Sequence, residues 1–391
     1  MNRLICAVLG AAMLLCLLGC SRTPAPTDGL STDPTETQPS TQGSTVQDPV
    51  AIYEAPLAAI AMPMVYEHQL SDQGTAIAQY AHQNVSVTLP DADVAQAVEL
   101  DLLNRIDKTR PAADRVFAAA KADYTGQASW FPYSYSITFA PTRLDQNVLS
   151  LFGEEASFDG SPRSMNNAIS ANYDLTTGEA LSLRAILHEE NYADALCDLI
   201  LQGLTEQKDG LFEDYERIIR SQFSTNVPVE SWYFSDSGLC FYFAPYEIAP
   251  YSVGTVVSQI PYDQLSGLLK DAYFPAEKTN YSGAILAQAV TDTSVLEGYS
   301  QFAEVSVDSQ ADKLLICTDG SVSNVKLHYS TGDAAEAVIL AVAGMGPTDA
   351  ILVEISMDHA LENLSVTCDS FGQTQTLTLT QNADGSLAFS K

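Results

Sequence analysis

Tyr246, Glu247 and Tyr251 lie in one short run, Ala244-Pro245-Tyr246-Glu247-Ile248-Ala249-Pro250-Tyr251, and suit the grip of another molecule. Tyrosine rings are rigid and amphipathic, so they can stack on a sugar ring or anchor a protein partner. Glu247 between them can accept hydrogen bonds from sugar hydroxyls or from a partner's Arg or Lys. Pro245 and Pro250 stiffen the run and leave carbonyls without matching N–H donors. Gly254 just beyond can take a positive φ. The same residues also fit a strand exit whose tyrosines pack and bond locally. Ligand binding by Tyr246, Glu247 and Tyr251 is thus an expectation set against that plainer reading.

Catalytic chemistry finds little support. The five histidines, His68, His82, His188, His328 and His359, are far apart in sequence and none makes H-E-x-x-H or H-x-x-x-H. The metal pair of a hydrolase or deacetylase is therefore missing. No G-x-S-x-G elbow occurs. Ser323-Asn324-Val325-Lys326 matches S-x-x-K, but that nucleophile motif should open a helix, whereas Val325, Leu327 and Tyr329 alternate as a strand. Asp358-His359 reads as a loop pair. No enzyme activity, metal or cofactor is expected.

The body cysteines are Cys197, Cys240, Cys317 and Cys368. Each sits in an apolar run, where a free thiol packs as a small hydrophobe. Buried free thiols are the favoured reading; the pairs Cys197–Cys240 and Cys317–Cys368 are the alternative for an exported chain. The formal net charge is −31. Such a field disfavours nucleic acid and anionic membrane surfaces and favours cationic partners, although a solubilising surface explains most of it. With 46% hydrophobic residues the chain can bury real cores.

The elements that must position these residues read as α+β. Val85, Val87 and Leu89 alternate as a strand ended by Pro90. Asp91 to Asp93 can cap a helix through Val94, Val98, Leu102 and Ile106, and residues 111–122 read as a second helix with Pro111 in its first turn. Strands are expected over 134–139, 147–158, 168–175, 180–183, 231–234 and 239–243. Phe241 and Phe243 then share one strand face and Tyr242 takes the other. Helices are expected over 192–204, 211–223 and 262–272. Beyond a composition shift at residues 275–280, helical periodicity nearly vanishes. Short alternating runs recur between turn signals and argue for a small β-sandwich.

The first residues frame this body. Arg3, the apolar stretch Leu4 to Leu18 and the closing Leu17-Leu18-Gly19-Cys20 have the layout of a signal peptide. The terminal L-x-G-C resembles the bacterial lipoprotein box, which implies cleavage before Cys20 and lipidation of Cys20 by fatty acyl chains such as palmitate. Residues 21–50 are Pro, Thr, Ser, Gln and Asp with almost nothing apolar, a composition suited to a tether. Such a segment spans about 30 Å as a coil and about 100 Å extended.

Two segments carry a further resemblance. Ser170-Ala171-Asn172-Tyr173-Asp174-Leu175-Thr176-Thr177-Gly178-Glu179-Ala180-Leu181-Ser182-Leu183 and the run from Gly238 to Gly254, followed by Ile260-Pro261-Tyr262, resemble the extracellular domain of RsiV-type anti-sigma factors. A similar domain occurs beside peptidoglycan deacetylase domains in PdaC-type enzymes. The resemblance covers about residues 51–274 and implies a non-catalytic α+β ectodomain, which in the RsiV type binds lysozyme. Family members often carry a Gly-Gly-x-His-Pro-like turn where this chain has Asp159-Gly160-Ser161-Pro162-Arg163-Ser164, without a histidine. RsiV-type proteins also cross the membrane, whereas a cleaved lipoprotein keeps no cytoplasmic portion.

The expected organisation is a lipoprotein signal peptide (1–19), a lipidated Cys20 with tether (20–50), an RsiV-like α+β domain of antiparallel sheet with packed helices (51–275) and a small β-sandwich-like domain (281–391). The expected protein is a lipid-anchored binder on the extracytoplasmic side of the cell membrane. A lysozyme-like wall hydrolase is its expected partner. A peptidoglycan-binding module or scaffold lipoprotein assisting a cell-wall enzyme is the alternative.

Overall fold

The computed structural model describes residues 57–391 except 63, 72, 128, 189–191, 226–229, 276–282, 292, 308–311 and 331–336. The expected signal peptide, Cys20, the tether and most of the expected boundary segment lie outside the described residues.

Strands β1 (Ala58–Ala61), β2 (Val65–Leu70), β3 (Ala76–His82) and β4 (Val85–Thr88) come first. Helices α1 (Ala92–Asp107) and α2 (Arg110–Asp123) follow, then β5 (Tyr133–Leu144), β6 (Val148–Phe158) and β7 (Met165–Asp174). Asp91 caps α1 by accepting from the backbone N–H groups of Asp93 at 3.0 Å and Val94 at 3.3 Å. Ala95, Val98, Leu102 and Ile106 fall on one helix face and are buried. The helices cover a five-stranded sheet ordered β2-β3-β5-β6-β7, antiparallel except for β3–β5, whose ends the β4–α1–α2 crossover joins. The alternation in β5 buries Tyr133, Tyr135, Ile137 and Phe139 against α1 and α2. Pro141 is tolerated in β5 because the pairing to β6 shifts register between Pro141 and Arg143.

The middle of the chain builds a second layer. It comprises α3 (Leu183–Ile186), α4 (Tyr192–Gly203), α5 (Tyr215–Thr225), β8 (Trp232–Phe234), β9 (Gly238–Phe243) and β10 (Val256–Pro261). The strands form an antiparallel sheet ordered β10-β9-β8. Leu196, Ile200, Ile219 and Phe223 from the helices pack with Trp232, Phe234, Phe241 and Phe243. Every residue of β9 is buried, because its two faces meet different layers. Phe241 and Phe243 face the helices, while Tyr242 stacks edge-on against Phe152 of β6.

The last part carries β11 (Ile285–Val290), β12 (Ser300–Ser306), β13 (Lys313–Thr318), β14 (Val322–Tyr329), β15 (Ala337–Met345), β16 (Asp349–Glu354), α6 (Met357–Asn363), β17 (Leu364–Ser370), β18 (Gln373–Gln381) and β19 (Leu387–Ser390). A four-stranded sheet, β11-β13-β16-β12, packs on a seven-stranded one, β19-β18-β17-β14-β15-β1-β4. The architecture is mixed α+β with a sandwich-like C-terminal part. Strands β1 and β4 come from the N-terminal part, so residues assigned by sequence to separate domains share one sheet. Ala58 faces the sandwich core, while Ala59 faces the α1–α2 core with Ala341 and Ala343 of β15.

Some expected elements differ. Residues 262–272 form no α-helix: a 3-10 turn over Tyr262–Leu265 stops at Gly267, whose φ of +78° has left the helical region. The expected strand over 180–183 reduces to a single bridge, Tyr173 to Ala180, before Ser182 caps α3. Asp358 and His359, expected in a loop, open α6. There the Asp312 carboxylate accepts from the Met357 N–H at 3.0 Å and buried Ala360 holds the helix down. All four body cysteines are free thiols.

Candidate functional site

The turn that leaves β9 is anchored from below and open above. Ile248 and Ala249 are buried in the α4–α5 core. The Ile248 carbonyl accepts from the Phe212 N–H at 2.9 Å, and the Ala249 carbonyl accepts from the Tyr246 N–H at 3.1 Å. With its neighbours so held, Tyr246 takes a φ of 72° and stays 58% exposed. A positive φ in a bulky non-glycine residue costs about 1–3 kcal/mol. Gly254 closes the segment at φ 77° and ψ −151°, a conformation essentially confined to glycine.

The Tyr246 and Tyr251 rings lie 5.5 Å apart, tilted by 34°. Arg163, at the tip of the β6–β7 hairpin, donates to the Tyr246 hydroxyl, and its guanidinium lies 5.5 Å from the Tyr251 ring centre. The Tyr251 hydroxyl donates to the Ser164 carbonyl. Two tyrosines and an arginine thus form one exposed platform joining two segments remote in sequence. An exposed cation–π contact of this type is worth about 0.5–1 kcal/mol.

Glu247 has a different role. One carboxylate oxygen accepts from the Ala244 N–H at 2.7 Å and the other from the Gln222 side-chain amide at 2.6 Å. Both oxygens brace the turn against α5, and the carboxylate lines the cleft beside β7. The structure therefore brings Tyr246 and Tyr251 together and turns Glu247 inward. Sequence reading missed Arg163 and Ser164; the one signal for them was the turn at Asp159-Gly160-Ser161-Pro162 that they follow.

The other sequence candidates have structural settings. Lys326 of the S-x-x-K match lies on β14, nearly buried, and its ammonium donates to the Thr142 carbonyl at 2.6 Å and the Asp236 carboxylate at 2.5 Å. His82 bonds Asn84 at 3.3 Å and His328 bonds Thr367 at 2.9 Å. Among the described residues no group of three or more His, Cys, Asp or Glu side chains could hold a metal ion.

The α4–α5 layer with its three strands also corresponds to a known sequence family. Residues 185–263 match the family described as "Protein of unknown function (DUF3298)". The match is confined to this segment. It ends three strands deep, and it supplies Tyr246 and Tyr251 to the platform, while Arg163 and Ser164 come from outside it. Several solved structures are similar to the chain, two of them as follows. One is a DUF3298 family member from Bacteroides fragilis, at 18% identity and a TM-score of 0.41, covering 56% of this chain and 95% of that one. The other is a DUF3298 family protein from Pseudomonas aeruginosa, at 17% identity and a TM-score of 0.38, covering 55% and 97% respectively. No curated protein matches the chain. Among the described residues, no helix is long and apolar enough to cross a membrane.

Proposed function

We propose that this protein is a non-catalytic binder, anchored through lipidated Cys20 on the extracytoplasmic side of the cell membrane. Its body, resembling the RsiV-type ectodomain around the DUF3298 segment, recognises a cationic wall hydrolase of the lysozyme class. One observation carries the reading: Tyr246 is a large aromatic side chain, 58% exposed, on backbone held at φ 72°. Strain of that kind persists only where surrounding contacts over-determine it, and it concentrates at functional positions. Tyr and Arg are also the side chains enriched at the energetic centres of interfaces. The net charge of −31 favours a cationic partner.

The test is calorimetric titration of the purified chain with lysozyme at about 0.15 M salt, where surface charge is screened beyond about 8 Å. Replacing Tyr246 and Tyr251 together by Ala should weaken binding about 30-fold or more, as for paired hot-spot residues. A complex that forms equally well without both rings would sink the platform.

The tilted tyrosine pair also suits stacking on sugar rings, which favours a second reading as a peptidoglycan-binding module. Retention on insoluble peptidoglycan, lost in the same double variant, would select it.

A further inference from the structure

β7 ends the five-stranded sheet, and from Met165 to Ala171 its outer backbone groups meet no backbone partner among the described residues. A cleft of about 640 Å³ lies beside it. Its lining includes the consecutive residues Asn167 to Asn172. Consecutive strand residues point to opposite faces, so a space touching all of them follows the strand's edge and not one face. Ile106 and Thr109 wall it on one side, Glu230 and Tyr242 on the other. A second cleft of about 890 Å³ meets the first at Phe139 and Ala168 and presents Met62, Met64 and Phe152.

The charge along this path has one sign. Glu154, Glu155, Glu230 and Glu247 line the two clefts, against Arg105 alone. Arg105 is already engaged, with its Nε 2.7 Å from the Asp101 carboxylate, and so are Glu155 with the Tyr135 hydroxyl and Glu247 within its own turn, so the exposed Glu154 and Glu230 are the acids a peptide would meet. An exposed sheet edge accepts an extended peptide as an added strand: main-chain bonds supply affinity, and flanking spaces select the alternate side chains. Two copies of so acidic a chain repel each other, which disfavours edge-to-edge pairing with itself.

We propose that β7 takes an extended basic peptide segment of the partner as a sixth strand, with Lys or Arg side chains on the face that carries Glu154 and Glu230 and apolar ones on the opposite face, toward Ile169 and Ile106. This rests on the reading of the partner as cationic, and it concerns the sheet edge that starts at Met165, just beyond the Arg163–Ser164 end of the tyrosine platform. The docked segment would be about seven residues long, at about 3.3 Å per residue.

The experiment titrates the full chain with an end-blocked fluorescent peptide of alternating Lys and Val at about 0.15 M salt. Two further versions carry backbone N-methyl groups, one on even positions and one on odd. An added strand uses only one edge of the peptide. One methylated version should therefore bind like the parent and the other at least about tenfold more weakly. Glu154→Gln with Glu230→Gln, both exposed side chains, should weaken the parent about fivefold. Equal binding of both methylated versions would reduce the interaction to charge alone and overturn the proposal. So would no binding by about 1 mM peptide, or a self-dimer in sedimentation that the peptide merely displaces. Lysozyme binding without peptide binding sinks the edge and leaves the proposed partner standing; peptide binding without lysozyme binding does the reverse.

Discussion

At the scale of single residues, Tyr246 sets conformation against exposure. Its φ of 72° suits glycine, and its ring gains little burial in return. Tyr246→Gly should therefore leave stability unchanged or raise it by up to about 1 kcal/mol, while lysozyme binding falls as in the Ala variant. Urea unfolding beside calorimetric titration checks both halves. The thiols make a second case. Burial pushes the Cys197, Cys240 and Cys368 thiols up, Cys368 to about 11 with Asp369 adding to the effect. Their folded-state values lie above the unfolded ones, so they stay protonated at about pH 8. Iodoacetamide there should spare all three in the native protein and label them in denaturant, as mass spectrometry can read. Tyr246, Tyr251 and the free thiols were legible in the sequence, because aromatic spacing and apolar neighbours are local signals. Arg163 was not legible as their partner, because the contact joins a hairpin tip to a turn far along the chain and exposed arginines are common.

At the scale of elements, two buried cations join the layers. Arg143 of β5, 2% exposed, pairs with Asp145 at 2.6 Å, donates to the Tyr262 hydroxyl at 2.8 Å and the Tyr273 carbonyl at 2.6 Å, and lies against the Phe234 ring. Lys326 of β14 reaches Asp236 in the β8–β9 turn. Removing one partner of a buried pair strands the other charge. Asp236 is 39% exposed, so Asp236→Ala, which leaves the Lys326 ammonium buried, should cost about 2–3 kcal/mol, less than the about 3–5 kcal/mol of a fully buried pair. Lys326→Met keeps the stem's volume, removes the charge and should cost less, below about 1.5 kcal/mol. Equal losses in urea unfolding would count against this account. Helices α1 and α2 were legible because Asp91, Pro111 and a clear apolar period mark them. The 3-10 turn over Tyr262–Leu265 was not, because the apolar spacing from Tyr262 to Ala272 fits a helix and only Gly267 speaks against it. Strands β2 and β3 escaped because their Ala, Gln, Glu and His content has weak strand preference.

At the scale of the whole molecule, the seven-stranded sheet is a wall shared by two cores. β1 is a short, alanine-rich strand, and only its register between β4 and β15 gives it a role. Nothing local announces such a strand, so the sequence suggests a division near residue 280 that this sheet crosses. A chain ending at residue 280 would leave β1 without β15 and remove Ala341 and Ala343 from the α1–α2 core. That truncation should lower the urea midpoint or yield aggregated protein. Full stability in the truncated chain would show that the shared wall adds nothing. Tests of the C-terminal strands therefore belong with point substitutions in the intact chain.

The pairing of Ala59 with Ala341 also sets an order of events during synthesis. The first described strand has to wait, unpaired on one edge, until almost the last part of the chain has emerged. Closing so distant a contact is slow, because the entropy of the long loop is lost before the pairing rewards it. A chain crossing a membrane channel from its N-terminus would thus stay short of its final structure, and so remain threadable, until residues 337–345 had passed through.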